Sequence, residues 1–205
     1  MWVLCIRKGY YSRSYILTNI FEHHVKKIYK RISYFIAMRS NERKRRYCQN
    51  LGCKVGDKTR FIGNVKLGSE PYLIEIGSDC LISDNVLFHT HDGGVKVLNS
   101  LGYFGEIKMD KMARIVIGDN CFIGSGTRIM GGVVIGNNCI IGAGSIVTKN
   151  IPDNTVAAGI PAIAICTIDE FYRKNLAKGM FYPSANLSFD EKRDYLVQKV
   201  KPLGR

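Results

Sequence analysis

The sequence lacks an apolar run of the length that a membrane-spanning helix needs, which is about 18 residues or more. The apolar opening between Met1 and Tyr11 is interrupted by Arg7 and Lys8, and no small-residue cleavage site follows a hydrophobic segment. The sequence therefore predicts neither a transmembrane helix nor a signal peptide, and it favours a cytoplasmic location.

Acidic residues are scarce in the first 60 positions. Only Glu22, Glu42 and Asp57 stand there against 15 lysines and arginines, whereas the remaining positions hold 15 basic side chains against 14 acids. The formal net charge of +13 therefore belongs almost entirely to the N-terminal segment.

Cysteines at the spacing of a zinc or redox motif are also absent. The chain has seven cysteines but no Cys-x-x-Cys pair. Cys80, Cys121 and Cys139 occupy the fifth place of a six-residue block, where a small apolar side chain is expected, so we interpret them as reduced core residues of a cytosolic protein. No Gly-x-Ser-x-Gly elbow is present, and no cysteine stands in an evident nucleophile context.

The sequence does contain a six-residue repeat between Ile117 and Ile151. Its blocks read IGDNCF, IGSGTR, IMGGVV, IGNNCI, IGAGSI and VTKNIP, with a branched aliphatic residue at every sixth position. Neither a helix nor a flat strand has this period. A strand of about four residues and a two-residue corner fit it, and three such sides close one triangular turn of a coil. Gly and Asn suit the corners because they tolerate left-handed backbone angles.

These blocks resemble the [LIV]-G-x-x-[STAVC]-x units of the hexapeptide-repeat acyltransferases, and the chain is similar to the sugar and capsular polysaccharide O-acetyltransferases among them. The resemblance covers residues 55 to about 166 and is strongest in NVLFHTHDGG and from IGSGTR to AAGIPA. It implies a mainly β fold, a left-handed parallel β-helix. It also implies acetyl-CoA as co-substrate, no metal, and a homotrimer that holds acceptor and coenzyme between subunits.

The repeat is interrupted once. After VGDKTRFIGNVKL and a break at Pro71, the units IGSDCL and ISDNVL restore the register, and Phe88 takes the next aliphatic place. The distance from Phe88 to Ile117 is not a multiple of six, so residues 90–114 are predicted to leave the coil as an extruded loop, and such long loops are often functional. We predict a basic helical segment at 1–50, the β-helix domain at 51–166 and a helical extension at 167–205.

Apolar residues between Leu17 and Phe35 recur every three or four positions, which predicts an amphipathic helix from about residue 14 to 38. The basic block Arg43–Arg46 follows. The segment could pack on the coil or another subunit, or residues 1–46 could contact the anionic inner face of a membrane. Nucleic acid is disfavoured because no known motif accompanies the charge. Near the C-terminus, two short helices are predicted at 169–178 and 189–201, the second after a cap at Ser188.

Two of the four histidines stand where the repeat stops, in the stretch from His89 to Gly94. Histidine can accept a proton from a hydroxyl near neutral pH, although loop or core histidines satisfied by local hydrogen bonds would give the same pattern. The resemblance implies that a histidine here deprotonates the acceptor while the acetyl group passes directly from acetyl-CoA. We expect His91 to be the base, with Asp92 beside it, and His89 to be the second choice or an acceptor ligand.

The resemblance also implies a donor site at small corner residues between coils, namely Gly124, Ser125, Ala143, Gly144, Thr148 and Lys149. Lys149 could contact a coenzyme phosphate. Gly159 and Pro161 match the turn at the nucleotide end, and Asn64 and Phe122 match acceptor-side positions. The family often has Lys or Arg where this chain has Ile163 to Cys166, so Arg173, Lys174 or a neighbouring chain would have to contact the phosphates there.

The leading hypothesis is an acetyl-CoA-dependent O-acetyltransferase that modifies a sugar hydroxyl, free or lipid-linked, in bacterial surface polysaccharide such as capsule or O-antigen. An amino sugar or a xenobiotic is an alternative acceptor. A zinc carbonic anhydrase of the γ type uses the same coil, but it needs about three histidine ligands and only two lie near the coil here. A purely structural coil is the remaining alternative.

Overall fold

The computed structural model describes residues 40–200. The amphipathic helix predicted at 14–38 lies outside these residues, as does the end of the last predicted helix. No helix within the described range is long and apolar enough to cross a bilayer.

Thirteen short strands, joined by turns and loops, run through the described chain from Lys54 to Thr167. Their bounds are β1 Lys54–Val55, β2 Arg60–Phe61, β3 Ile74–Ile76, β4 Leu81–Ile82, β5 Leu87–His89, β6 Ile115–Ile117, β7 Phe122–Ile123, β8 Arg128–Met130, β9 Val134–Ile135, β10 Ile140–Ile141, β11 Ile146–Val147, β12 Thr155–Gly159 and β13 Ala162–Thr167. The helices are α1 Asn41–Asn50, α2 Val95–Ser100, α3 Ile168–Ala177 and α4 Phe189–Lys199, with a 3-10 turn at Pro71–Leu73.

The strands form three parallel faces that the chain visits in rotation. Face A contains β1, β3, β6 and β9; face B contains β2, β4, β7, β10 and β12; and face C contains β5, β8 and β11. Strand β13 then turns back antiparallel to β12. Equivalent strands of successive turns are in register, as with Ile123, which pairs with Ile82 on one side and Ile141 on the other. This three-sided parallel coil has the triangular turns that the repeat predicts, and it fits the left-handed β-helix that the family resemblance implies.

The core is the stack of aliphatic residues that the repeat supplies. All six of them are at most 1% exposed: Ile117, Ile123, Ile129, Ile135, Ile141 and Val147. Each buried side chain of this size contributes about 1.5–3 kcal/mol relative to an exposed one. Phe88 is also buried, so its predicted place in the register is confirmed, and Cys80, Cys121 and Cys139 are buried free thiols as expected.

The corners between faces A and B are held by a ladder of asparagine amides. Asn120, Asn138 and Asn154 have φ angles of 54°, 55° and 58°. The amide of Asn120 donates to Asn138, and that of Asn138 donates to Asn154, each over 2.9 Å. Asparagine tolerates this left-handed backbone better than other residues with a side chain, so the repeat uses it where the chain must turn.

Helix α1 packs against β1 and β2 at the first turn of the coil. Most side chains of its basic block, Arg43–Arg46, make hydrogen bonds or ion pairs within the fold. The ammonium of Lys44, 9% exposed, donates to the carbonyls of Phe61 (3.0 Å) and Gly63 (3.3 Å), while Arg45 and Arg46 both pair with Glu42. The contacts of Lys44, Arg45 and Arg46 are therefore those of a helix that packs on the coil.

The two C-terminal helices begin at capping boxes. The hydroxyl of Thr167 accepts from the backbone N–H of Glu170 at the start of α3, and the hydroxyl of Ser188 accepts from that of Glu191 at the start of α4. In both boxes the glutamate carboxylate accepts from the backbone N–H of the capping residue, which satisfies a second donor. The predicted cap at Ser188 is confirmed.

Candidate functional site

The regular coil stops on face C at His89 and resumes on face A at Ile115. The chain leaves and returns at one corner, because the backbone N–H of Ala113 donates to the carbonyl of Thr90 over 2.9 Å and the N–H of Asp92 donates to that of Lys111 over 2.8 Å. His91 and Met112 form an antiparallel bridge between the two arms. We call residues 90–114 the excursion.

The excursion contains a short helix, α2, and an arm that returns from it. The side-chain amide of Asn99 joins the two, since it donates to the carbonyl of Met109 (2.8 Å) and accepts from the N–H of Met109 (2.9 Å). Val95, at the start of α2, is buried. These contacts fix the returning arm beside α2.

A cavity of about 440 Å³ opens between α2 and the two arms. Its polar lining consists of His91, Lys96, Asn99, Ser100, Lys108 and Asp110. The side chain of His91 is 35% exposed, and its Nε2 atom lies 3.8 Å from Oδ1 of Asp110. A partly exposed imidazole beside a carboxylate can accept a proton, because the imidazolium that forms is stabilised by the negative charge.

Asp92 makes different contacts. Its Oδ2 atom accepts from the ammonium of Lys111 over 2.7 Å, and its Oδ1 atom accepts from the N–H of Gly94 over 2.9 Å. The Lys111 hydrogen bond is the largest of the influences that lower the pKa of Asp92, and the charge of His91 adds to them. Asp92 therefore fastens the two arms of the excursion, and the carboxylate within 4 Å of the His91 ring is Asp110.

His89 lies on β5, opposite Met130 of β8. Its Nε2 atom is buried and has no hydrogen-bond partner among residues 40–200. Between the two histidines, the buried hydroxyl of Thr90 donates to the carboxylate of Glu70 over 2.9 Å. A hydrogen bond from Ser69 is the main cause that lowers the pKa of Glu70, with Thr90 and the charge of His91 adding to it.

The predicted donor residues lie mainly on the edge between faces B and C. Gly124 and Ser125 form one corner there, and Ala143 and Gly144 form the next, with the N–H of Gly144 donating to the carbonyl of Ser125 over 2.8 Å. A side chain on Gly124 would come within 2.5 Å of the Ala143 nitrogen, so close stacking of the turns requires glycine. Ser125 and Ala143 are exposed.

The remaining predicted residues are distributed over three places. Asn64 lies on the same B–C edge, since its carbonyl accepts from the N–H of Asn85. Gly159 is near the end of that edge, because its N–H donates to the hydroxyl of Ser145 over 3.2 Å, and Pro161 follows in the turn between β12 and β13. Thr148 and Lys149 lie on the edge between faces C and A, the edge from which the excursion leaves.

Phe122 lies on face B, where it is 37% exposed and lines a second cavity of about 350 Å³. Arg60, Leu81 and Ile168 line the same cavity. Within one chain the structure therefore separates Phe122 from the His91 cavity. The corners Gly124–Ser125 and Ala143–Gly144, which we call the donor corners, lie on one edge of face C, and His91 lies at the opposite edge.

The sequence reasoning missed the charged residues of the excursion. Lys96, Lys108 and Asp110 follow no repeat, and what places them together is the Asn99 bridge between two segments that are ten residues apart. The only sequence signal was the charged run from Lys108 to Lys111 near the return to the coil.

A model of the bacterial transferase hexapeptide family, with six repeats, matches residues 114–149. Protein CapG of Staphylococcus aureus is 43% identical over 155 residues, which cover 75% of this chain and 87% of CapG. The chain belongs to the bacterial hexapeptide transferase family.

Two sugar O-acetyltransferases are also similar to this hexapeptide transferase. The galactoside O-acetyltransferase of Escherichia coli K12 is 44% identical over 101 residues, which cover 49% of this chain and 47% of that enzyme. The chain thus spans about half the length of that relative. The crystal structure of a maltose O-acetyltransferase from Clostridium difficile 630 superposes with a TM-score of 0.50 at 27% identity, covering 68% of this chain and 84% of that one.

Proposed function

We propose that this chain transfers an acetyl group from acetyl-CoA to a hydroxyl of a saccharide, in the assembly of a bacterial surface polysaccharide. The observation that carries the proposal is the His91 imidazole, which faces a cavity beside Asp110 at the corner where the coil is interrupted. Relatives named as O-acetyltransferases of galactoside and maltose support the sugar acceptor.

In the proposed reaction, His91 accepts the proton of the acceptor hydroxyl as that oxygen attacks the thioester carbonyl. The new C–O bond forms, the C–S bond breaks, and the proton then passes to the departing thiolate of coenzyme A. Asp110 stabilises the imidazolium while it carries the proton. No covalent intermediate on the protein is required.

The active unit is a homotrimer with its sites between chains. In one chain, the path from Ser125 at the donor corner to Met130 at the edge of the excursion has five residue steps, so at about 3.3 Å per residue the two lie up to roughly 17 Å apart. A second copy that places its B–C edge against the excursion would bring donor corner and histidine together. A closed ring of three copies satisfies every such interface.

The proposal is tested by incubating the purified protein with acetyl-CoA and a panel of oligosaccharides, and by measuring a gain of one acetyl group by mass spectrometry. We expect one or more saccharides to be acetylated, and His91→Ala to reduce the rate by about 10²–10⁴-fold. Lys192→Gln, on α4, is the matched surface control. Full activity in both His91→Ala and His89→Ala would contradict the mechanism, and acetylation confined to amines would favour the N-acetyltransferase alternative.

Attachment to a membrane through residues 1–46 remains part of the proposal. Since Lys44, Arg45 and Arg46 are occupied by internal contacts, binding to anionic lipid would depend on the basic residues that precede them. Removal of residues 1–39 is expected to abolish binding to vesicles that contain phosphatidylserine. Unchanged binding would contradict this part of the proposal.

A further inference from the structure

The excursion presents two lysines to the cavity that His91 lines, and neither ammonium contacts a carboxylate within residues 40–200. Lys96 projects from α2, and Lys108 lies at the start of the returning arm. The third lysine of the region, Lys111, is occupied by Asp92 at 2.7 Å. Asp110 is the one carboxylate among the described residues of the lining.

The position of these lysines is set by the fold of the excursion. Asn99 lies one helical turn after Lys96, so both residues project from the same side of α2. The Asn99 amide holds Met109, whose two chain neighbours are Lys108 and Asp110. One bridge therefore places both ammonium groups and the carboxylate beside His91 around a single cavity.

Two ammonium groups that line one cavity and pair with no carboxylate of the described chain can bind an anion between them. Ammonium groups act as flexible point charges, which suits a carboxylate or a phosphate alike. We infer that the acceptor is an anionic saccharide, whose carboxylate or phosphate is held by Lys96 and Lys108 while a hydroxyl of the same molecule is presented to His91. This inference rests on the proposed function and narrows its class of substrate.

The test uses saccharides that share a glucose-type ring and differ in their charged group. Methyl glucoside, methyl glucuronide and glucose 1-phosphate are compared by calorimetric binding and by acetyl transfer from acetyl-CoA. The variant is Lys96→Gln/Lys108→Gln, and the control is Lys178→Gln/Lys192→Gln, which removes the same charge from α4 and the end of α3. The glucuronide arm reports a carboxylate site and the glucose 1-phosphate arm a phosphate site.

We expect at least one charged saccharide to bind about tenfold more tightly than methyl glucoside, and this preference to disappear in the Lys96/Lys108 variant but not in the control. Raising the salt concentration should weaken the preference, because a half-exposed ion contact is screened. The KM for acetyl-CoA should remain unchanged in the variant.

Equal binding of neutral and charged saccharides, or a preference that survives the double substitution, would overturn the inference. A rise in the KM for acetyl-CoA without a change in saccharide binding would also overturn it, since the lysines would then contact the coenzyme. Charge-dependent binding without any acetylation would leave this site in place and contradict the proposed function instead. Acetylation of neutral sugars at rates equal to those of charged ones would support the proposed function and contradict the anion site.

Discussion

Nε2 of His91 lies 3.8 Å from Oδ1 of Asp110, across the two arms of the excursion. The residues are 19 positions apart, and antiparallel pairing around Thr90 and Ala113 brings them together. This carboxylate is thus available to stabilise a protonated imidazole, whereas Asp92, the next residue in the chain, is held by Lys111 and Gly94. The electrostatics of the candidate base therefore depend on the returning arm.

Asp110→Asn should lower kcat by about tenfold with little change in the KM for acetyl-CoA. The amide keeps the size of the side chain but removes the negative charge that stabilises the imidazolium formed in the reaction, and a tenfold loss corresponds to about 1.4 kcal/mol of the barrier. Initial rates at a fixed pH, with the saccharide and acetyl-CoA varied in turn, give both parameters for wild type and variant. An unchanged kcat in Asp110→Asn would contradict this role of the carboxylate.

Asp92→Asn is the matched comparison. It removes the charge that pairs with Lys111, so we expect faster proteolysis within residues 92–111 and a smaller loss of kcat than Asp110→Asn gives. A loss of kcat in Asp92→Asn and not in Asp110→Asn would show that the neighbour in sequence, not the neighbour in space, acts on the histidine.

Sites shared between chains can be detected by mixing two inactive variants. His91→Ala removes the base, and Ala143→Trp blocks the donor corner at an exposed position. In trimers that contain both variants, each site draws its base and its donor corner from different chains, so about one site in three would be intact. Co-expression of the two variants with different affinity tags, followed by tandem purification and a transfer assay, measures the recovery.

No recovery of activity in the mixed preparation would contradict the shared site, provided that each tag is present in the purified complex. The mass of the complex, measured by light scattering, should equal three chains. Coexpression of His91→Ala with His91→Ala under the two tags supplies the background rate.

The sequence predicts the coil because its signal is periodic. Ile123, Ile129 and Ile135 each point to the core for the same reason, and the register follows once one of them is placed. The cavity at the excursion has no such signal. Lys96 and Lys108 meet only because Asn99 bridges two segments, and a single amide contact leaves no pattern in the sequence. The family resemblance also predicts the residues of the donor corners. Their separation from His91 across face C follows only from the edge of the coil on which each corner lies.

The asparagine ladder should matter for stability through both its backbone and its amides. Asn138→Ala removes two amide hydrogen bonds and places an alanine at a φ of 55°, which together should lower the free energy of unfolding by about 1–3 kcal/mol. Asn138→Gly removes the same hydrogen bonds but accepts the backbone angle, so it should be less destabilising than alanine. Urea unfolding at one protein concentration compares the two. Equal losses would mean that the left-handed angle at this corner carries no cost.

The last prediction concerns Lys44 and tests whether this residue of the basic block of α1 packs on the coil or binds anionic lipid. Its ammonium supplies the hydrogen bonds of two carbonyls, on Phe61 and Gly63, at the first turn of the coil. Lys44→Met keeps the aliphatic stem but removes both hydrogen bonds, so the free energy of unfolding should fall by about 1–3 kcal/mol. Arg43→Met, one residue earlier on the exposed side of the helix, should change it by less than about 0.5 kcal/mol. Equal effects of the two substitutions would contradict a packing role for Lys44. A loss of vesicle binding in Lys44→Met, with the free energy of unfolding unchanged, would instead show that the Lys44 ammonium acts on anionic lipid and not in packing.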